Sequence, residues 1–290
     1  MRKIAIIANP SAGQGKAPSR ARQLEAELGR SGLAPDCRVP ESAGEARSIV
    51  EHSVSDGFHA VVIAGGDGSV KDVLDILAGT ETALAILRSG RGNDFARGLG
   101  MPGRIRTLAP ALVAGMTRSV DLGVCNGIPF GTVTTCGLDA EVGSVTSTGS
   151  RFGGATGYVL QALSCIHRFN GYSVRVEAEG KPIFDGEVTL VACANTPTYG
   201  GGLRIAPGAD PSDGMLELCL IRRVTRLQAM SLLPLLAMGE HVGHPLVELR
   251  GVRNVHIFAN KSVPKLVDGE PVSAEALKTT IRPLALKVIC

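Results

Sequence analysis

The chain has 290 residues, enough for two modest domains at ~100–200 residues each. Hydrophobic residues make up 44% of the chain and the formal net charge is only +3, so the composition supports buried cores and lacks the charge excess of nucleic-acid-binding proteins. Aromatic residues are 3% of the chain, with no tryptophan, which leaves little material for stacking on bases. We therefore expect no nucleic-acid partner.

The first part of the chain alternates short apolar runs with segments of helical periodicity. Strands are predicted at residues 3–8, 36–39, 61–64 and 83–87, and helices at residues 18–28, 43–53, 71–77, 95–99 and 108–115. Strands that alternate with helices predict a parallel, doubly wound α/β sheet for the first ~120 residues.

The rest of the chain is turn-rich and strand-like. Strands are predicted at residues 130–135, 172–178, 187–192, 215–221 and 254–258, and helices at residues 157–167 and 226–239. Consecutive short strands with Gly and Pro turns predict a mainly antiparallel β domain. We place an α/β domain at residues 1–122 and a β domain at 123–276. A closing strand at 277–290 is expected to return to the first domain.

Cysteine usage and the start of the chain indicate a cytoplasmic protein. The seven cysteines are scattered without a CxxC pair, which fits reduced thiols better than disulfides or a zinc site. Met1-Arg2-Lys3 leads directly into a predicted strand, unlike a signal peptide. The apolar stretch Leu227–Met238 is shorter than the ~20 residues of a membrane span.

The segment Gly65-Gly66-Asp67-Gly68-Ser69 ends a continuous apolar run and precedes a helical pattern. Such a strand–turn–helix junction directs backbone N–H groups and a helix N-terminus toward a phosphate. A carboxylate in this position would be repelled by phosphate unless a metal or a proton transfer is involved, so Asp67 favours phosphoryl chemistry. The alternative is a tight turn whose Asp67 only caps the next helix.

Two further loops follow predicted strands. Residues 9–13 (Asn-Pro-Ser-Ala-Gly) come after the first strand, but Pro10 and Ala17 break the P-loop pattern, and an ordinary βα loop is the alternative. Residues 88–94 follow another strand and carry Arg91, suited to charge neutralisation, and Asn93, suited to hydrogen bonding. Ligands of open α/β sheets bind at the carboxyl ends of strands, so these three loops can converge on one nucleotide.

The β region holds two acidic turns. Asp210 and Asp213, with intervening carbonyls, could form an oxygen site for Mg²⁺, or simply a polar hairpin turn. Asp268-Gly269-Glu270 is again either a common turn or a pair of carboxylates, one of which could act as base for a substrate hydroxyl.

Six motifs in this order resemble those of the bacterial diacylglycerol kinase-like lipid kinases, the family that includes sphingosine kinases. They are Asn-Pro-x-x-Gly (9–13), Gly-Gly-Asp-Gly-Ser (65–69), Gly-Asn-Asp-Phe-Ala-Arg (92–97), Cys-Gly-Leu-Asp-Ala-Glu (136–141), Gly-Gly-Gly…Ala-Pro-x-Ala…Asp-Gly-Met-Leu (200–216) and Asp-Gly-Glu (268–270). The resemblance implies an N-terminal nucleotide-binding domain and a C-terminal β-sandwich. It also implies ATP- and Mg²⁺-dependent phosphorylation of a lipid hydroxyl, diacylglycerol-like or sphingoid, in the cleft between them.

The resemblance also implies roles for individual residues. Glu270 is the expected general base, and Asp67 is expected to orient Mg²⁺ or the attacking hydroxyl. Magnesium would be held by Asp210, Asp213 and the backbone of Met215. The expected nucleotide-binding residues are Asn9, Pro10, Ser11, Ala12, Gly13, Pro40, Gly65, Gly66, Asp67, Gly68, Ser69, Val70, Lys71, Arg91 and Asn93.

The chain departs from the family pattern around the nucleotide. Ser69, Lys71 and Asp72 stand where Thr, Asn and Glu are usual, and Arg88-Ser89-Gly90-Arg91 replaces Pro-Leu-Gly-Thr. Arg91 and Pro40 occupy positions where nucleotide-contacting threonines are expected. Two alternatives follow: an NAD kinase-type enzyme, which shares the Gly-Gly-Asp-Gly turn, or a catalytically silent nucleotide- or lipid-binding regulator.

A lipid substrate requires access to the inner membrane surface. Arg222, Arg223 and Arg226 precede the apolar stretch Leu227–Met238, a basic-amphipathic arrangement suited to anionic lipid. The alternative is a solvated helix packed on the β domain. The sequence leaves open whether the chain forms a homodimer.

Overall fold

A computed structural model describes residues 2–90, 92–138 and 171–290, apart from the side chain of Arg226. The chain divides into two compact units, Met1–Leu122 with Leu284–Cys290, and Gly123–Pro283. Arg91 and the helix predicted at 157–167 lie outside the described residues, as does the second half of the Cys-Gly-Leu-Asp-Ala-Glu motif.

The first unit is built on a parallel sheet. Its strands are β1 (Ile4–Ala8), β2 (Asp36–Arg38), β3 (Ala60–Gly65), β4 (Ala83–Arg88) and the start of β5 (Thr117–Cys125). Its helices are α1 (Ala17–Arg30), α2 (Ala43–Ser55), α3 (Asp67–Leu77), α4 (Asp94–Gly98) and α5 (Ile105–Ala114). The order β2-β1-β3-β4, with every pair parallel, places the ends of β1, β3 and β4 side by side.

Helices cover both faces of this sheet because successive strand residues point to opposite sides. In β1, Ile4 and Ile6 pack with α1 and α5, whereas Ala5 and Ile7 pack with α2 and α3. β1, β3 and most of β4 are buried on both faces, which explains their continuous apolar sequences. The predicted doubly wound α/β fold is therefore confirmed.

The second unit is an antiparallel β structure. Its strands are β6 (Ile128–Phe130), β7 (Val133–Gly137), β8 (Tyr172–Ala178), β9 (Lys181–Ala194), β10 (Leu216–Arg222), β11 (Val247–Val252), β12 (Asn254–Ala259), β13 (Lys265–Val267), β14 (Glu270–Pro271) and β15 (Ala276–Ile289). Its helix α6 spans Arg226–Met238.

Alternating side chains of β9 and β10 pack into two separate hydrophobic cores. Val191 and Leu218 pack into a core with β8 and β12, whereas Leu190 and Cys219 pack into another with α6. The structure confirms the predicted β-sandwich-like second domain. Within the described ranges no helix is both long and apolar enough to span a bilayer.

The structure differs from the predicted strands at three places. The strand predicted at 130–135 is divided between β6 and β7. The N–H groups of Gly131 and Thr132, which lie between these strands, donate to the Asp268 carboxylate and not to the carbonyl groups of a neighbouring strand. Most of β5 and all of β11, β13 and β14 were absent from the prediction. The closing strand pairs with β12 over residues 276–280, so the chain rejoins the first unit only from Leu284.

Candidate functional site

Three loops at the carboxyl ends of β1, β3 and β4 contact one another in the first unit. Asn9 Nδ2 donates to Ser69 Oγ at 2.8 Å, and the N–H of Ser89 donates to Gly65 O at 2.9 Å. Gly13 packs on the Ser89 carbonyl so closely that an added Cβ would lie 2.9 Å from its oxygen. The structure thus brings together the three loops that the sequence singled out.

The β3 and β4 loops touch through their backbones. A Cβ built on Gly90 would lie 2.5 Å from the Cα of Gly66, a distance that real side chains do not tolerate. A side chain at Gly68, in contrast, would meet no atom within 4 Å. Gly90 is therefore required by chain packing, a Cβ on Gly66 would be tight at 3.2 Å from the Gly90 Cα, and Gly68 is the glycine of this turn that leaves space for a ligand.

Helix α3 begins at this turn without a side-chain cap. Gly66 is its N-cap residue, and Val70 donates the first helical hydrogen bond, to Gly66 O at 3.2 Å. The N–H groups of Gly68 and Ser69 precede that hydrogen bond and are suited to an anion at the positive end of the helix. Gly66, and not Asp67, is thus the N-cap residue of this helix.

Asp67 is the first residue of α3 and reaches across to the β4 loop. Its Oδ1 accepts the N–H of Phe95 at 3.3 Å, at the start of α4. A Cβ on Gly92 would lie 3.0 Å from Asp67 Oδ2 and 2.8 Å from Asp94 Oδ2, so the two carboxylates border the same residue. Asp94 also pairs with Arg97 at 3.0 Å. These contacts hold an acidic side chain beside the α3 N-terminus.

A cavity of about 250 Å³ adjoins the loops that follow β1 and β3. It is smaller than the ~300–1,000 Å³ pockets that hold drug-sized ligands. A volume of this size suits one ring system better than a whole nucleotide. Its lining includes five of the predicted nucleotide-binding residues, namely Asn9, Pro10, Ser11, Pro40 and Ser69, together with Glu41, Ser42 and Asp72, which the prediction had omitted.

Other predicted nucleotide-binding residues take part in the protein's own contacts. Ser11 and Ala12 donate their N–H groups back to Asn9, at 3.0 and 3.2 Å, so these two amides close the loop. Val70 is buried in the core under α3. The Asn93 amide both accepts from Gly90 N–H at 3.1 Å and donates to Gly90 O at 2.7 Å. Lys71 is half-buried on α3.

Arg88 stands where the family pattern has Pro, and its side chain forms hydrogen bonds that stabilise the β4 loop. Its Nη2 donates to the carbonyls of Ala96 and Met101, at 3.0 and 2.6 Å. Burial lowers the pKa of the Arg88 guanidinium, and the charges of Arg97 and Arg104 lower it further. The side chain is thus committed to the loop, a role that its position in the motif gave no reason to expect.

In the second unit the two carboxylates of Asp-Gly-Glu have separate environments. Asp268 accepts backbone N–H groups from Gly131, Thr132 and Val133 at 2.7, 2.9 and 3.1 Å, as well as the Thr132 hydroxyl. The Glu270 side chain is exposed, and its carboxylate accepts no hydrogen bond from a described residue. Asp268 anchors the turn, and Glu270 is the carboxylate available for chemistry.

The predicted metal ligands lie in one exposed loop of the second unit. Asp210 Oδ1 accepts the N–H and hydroxyl of Ser212, at 3.0 and 2.6 Å, and Asp213 Oδ1 accepts Met215 N–H at 2.8 Å. Two exposed carboxylates with a second oxygen each are the hard ligands that Mg²⁺ uses alongside water, so the donors fit. Within the described ranges no group of three or more His, Cys, Asp or Glu side chains could hold a metal.

Glu217 adds a third acid near this loop that the sequence did not single out. It accepts Gly208 N–H at 3.0 Å. Burial raises the pKa of the Glu217 carboxyl, and the negative charge of Asp213 raises it further. A cation at Asp213 would reduce that repulsion.

Comparisons with known proteins cover the whole chain. A family described as "Diacylglycerol kinase catalytic domain" matches residues 3–125, and one described as "YegS C-terminal NAD kinase beta sandwich-like domain" matches residues 131–290. A diacylglycerol kinase of Mycobacterium tuberculosis (strain ATCC 25618 / H37Rv) is 32% identical, over 99% of this chain and 94% of its own length. A "Probable lipid kinase YegS-like" protein of Pseudomonas aeruginosa (strain UCBPP-PA14) is 33% identical over 87% and 83%.

Solved structures share the fold. A diacylglycerol kinase structure from Bacillus anthracis str. Sterne has a TM-score of 0.77 at 20% identity, covering 99% of this chain and 96% of its own. An NAD kinase of Archaeoglobus fulgidus in complex with ATP has a TM-score of 0.56 at 12% identity, covering 100% and 94%.

Replacing Gly68 with Ala should separate ligand binding from folding. The change adds a methyl group to open space in a helix, so we expect stability to rise by up to about 1 kcal/mol. If phosphate lies against this turn, ATP affinity should fall about tenfold or more, the effect of losing one hydrogen bond to a charged group. Gly29→Ala, in α1 with no atom within 4 Å of the added methyl, is the matched control. Unchanged ATP affinity in Gly68→Ala, measured by calorimetry, would contradict this placement.

Urea denaturation of two single variants should distinguish Asp268 from Glu270. Asp268→Asn loses a charged acceptor of three backbone N–H groups and should be destabilised by about 1.5–3 kcal/mol. Glu270→Gln changes an exposed side chain and should stay within about 0.5 kcal/mol of wild type. Equal destabilisation by the two substitutions would refute the division of roles.

Proposed function

Because this chain belongs to the diacylglycerol kinase-like family of lipid kinases, and is thus a phosphotransferase with an alcohol acceptor, we propose that it transfers the γ-phosphoryl group of ATP to a hydroxyl of a diacylglycerol-like or sphingoid lipid. The observation that carries the proposal is the uncapped α3 N-terminus beside Asp67, next to a cavity in the same unit. The ATP complex of the structurally similar NAD kinase supports the choice of donor.

The base of ATP would occupy the cavity between Asn9 and Pro40. Pro10, Ser11 and Ser69 supply further walls, and Glu41 supplies a carboxylate at the same cavity. A carboxylate accepts hydrogen bonds but donates none when ionised, which favours a base that presents an amino group. This gives the cavity a preference for adenine over hypoxanthine.

The phosphates of ATP would lie along residues 65–69. The N–H groups of Gly68 and Ser69 stabilise negative charge at the α3 N-terminus. Gly13 and Asn93 shape the neighbouring loops, and Lys71 or Arg91 would supply positive charge. Phosphoryl transfer depends on this kind of positioning and electrostatic stabilisation, so the reaction needs no protein nucleophile.

Asp67 would orient the reacting groups through its fixed position at the turn. When bound, Mg²⁺ supplies positive charge that offsets the charge on the phosphoryl oxygens. The residues proposed to hold it are Asp210, Asp213 and the backbone of Met215, whose oxygens are suited to a hard cation.

Glu270 would accept the proton of the lipid hydroxyl. As this O–H bond breaks, the oxygen forms a bond to the γ-phosphorus, the bond from that phosphorus to the β–γ bridging oxygen breaks, and ADP leaves with the electron pair. The proposal is supported by the exposure of Glu270 and by the lack of a hydrogen-bond partner for its carboxylate in the described part of the chain. Asp268, held by three backbone N–H groups, fixes the turn that carries it.

An NAD kinase-type activity is the second candidate, because the fold is shared with an NAD kinase. Labelled ATP offered with NAD in one reaction and a panel of dispersed lipids in another separates the two. We expect label in a lipid only. Label in NAD would favour the second candidate, and ATP binding without any transfer would favour a silent regulator.

Conservative variants test the proposed roles in the same assay. Asp67→Asn and Glu270→Gln keep size and shape but lose charge, and each should lower kcat by about 100-fold or more, the usual contribution of a positioned acid–base group. ATP affinity of Glu270→Gln should match wild type. Wild-type turnover in either folded variant would exclude that residue from the mechanism.

A further inference from the structure

Helix α6 presents apolar side chains to the interior and to the solvent. Ala229, Leu232, Leu233 and Leu236 are buried and pack on β9 and β10. On the opposite side Leu227, Met230 and Met238 are 79%, 58% and 52% exposed. A surface helix of a globular protein ordinarily turns a polar face outward, so this outer face departs from the rule.

The exposed apolar side chains form a continuous stripe. Positions 227, 230, 234 and 238 recur at helical spacing, and all four are exposed. Val242, 59% exposed, follows just beyond the helix. Of the eight large apolar side chains exposed in the described part of the chain, four lie between residues 227 and 242. The sequence from Leu227 to Gly239 contains no charged residue.

Basic side chains stand at both ends of this stripe. Arg222 is exposed, three residues before the Thr225 cap, and Arg204 is exposed beside Gly239 at the other end. Neither forms an ion pair with a described residue. Arg223 pairs with Glu187 at 2.6 Å. Residues 222–240 hold three arginines and one glutamate, a formal charge of +2.

We propose that the stripe, comprising Leu227, Met230, Pro234, Met238 and Val242, is the surface by which this protein docks on a bilayer that contains anionic lipid. An apolar helical face flanked by arginines matches the acyl–headgroup boundary, where apolar groups insert and guanidinium groups meet phosphates. A second copy would bring two positively charged surfaces together, whereas an anionic bilayer is complementary. The proposal deepens the proposed function, since a kinase for membrane lipids must work at a membrane.

Vesicle cosedimentation tests the docking directly. We expect wild-type protein to bind vesicles of phosphatidylcholine with phosphatidylglycerol more tightly than phosphatidylcholine alone, and to release as salt increases. The double substitution Leu227→Glu/Met230→Glu should weaken this binding about tenfold or more, because it removes two inserting side chains. Arg222→Ser should weaken it about fivefold, and only on anionic vesicles.

Met116→Glu is the matched control, because Met116 is 64% exposed and lies outside the stripe. This variant should bind vesicles like wild type. Thermal unfolding must show that all variants are folded. Wild-type vesicle affinity in the double variant would overturn the proposal. The proposal would also be overturned if the wild-type protein did not bind vesicles and light scattering instead showed a dimer that the double substitution converts to monomers.

Two activity measurements keep this proposal distinct from the proposed function. The double variant should phosphorylate a short-chain diacylglycerol dispersed in detergent at the wild-type rate, because no vesicle is involved. Glu270→Gln should bind vesicles like wild type and fail to phosphorylate. Loss of detergent-based activity in the folded double variant would contradict a role confined to docking.

Discussion

The backbone contact between the β3 and β4 loops is the constraint on which the candidate site depends. A Cβ on Gly90 would lie 2.5 Å from the Gly66 Cα, so position 90 accepts no side chain, and Ser89 N–H bonds to Gly65 O beside it. This contact fixes where α3 begins and leaves its N-terminus without a side-chain cap. The same junction sets Asp67 against the start of α4, so one packing requirement positions both the amides and the acid.

The second unit achieves a similar result with a carboxylate in place of a close backbone contact. Asp268 interrupts the β-ladder at Gly131 and Thr132 by taking their N–H groups. The cost of that interruption is offset by charge-assisted hydrogen bonds, which are stronger than neutral ones. The turn that results leaves Glu270 exposed at its far side. A structural acid and a chemically available acid thus stand two residues apart.

Local patterns sufficed to predict the two-domain fold and the loops that meet in the first unit. The apolar run of β3 ending in Gly65 identified a buried parallel strand, and the parallel direction of the sheet followed from the strand–helix alternation. The structural role of Asp268 could not be read locally, because its partners lie more than a hundred residues earlier. The same holds for Arg88, whose acceptors depend on how the chain folds after β4. The apolar sequence of α6 was visible, but which of its sides would be covered depends on β9 and β10.

Hydrogen–deuterium exchange with and without a non-hydrolysable ATP analogue and Mg²⁺ tests the central claim most directly. If the α3 N-terminus holds the phosphates, peptides that contain residues 65–70 and 89–94 should exchange more slowly with the nucleotide present. Peptides from β8 and β12 should exchange at the same rate in both conditions. Nucleotide binding with no slowing at residues 65–70 would contradict the account.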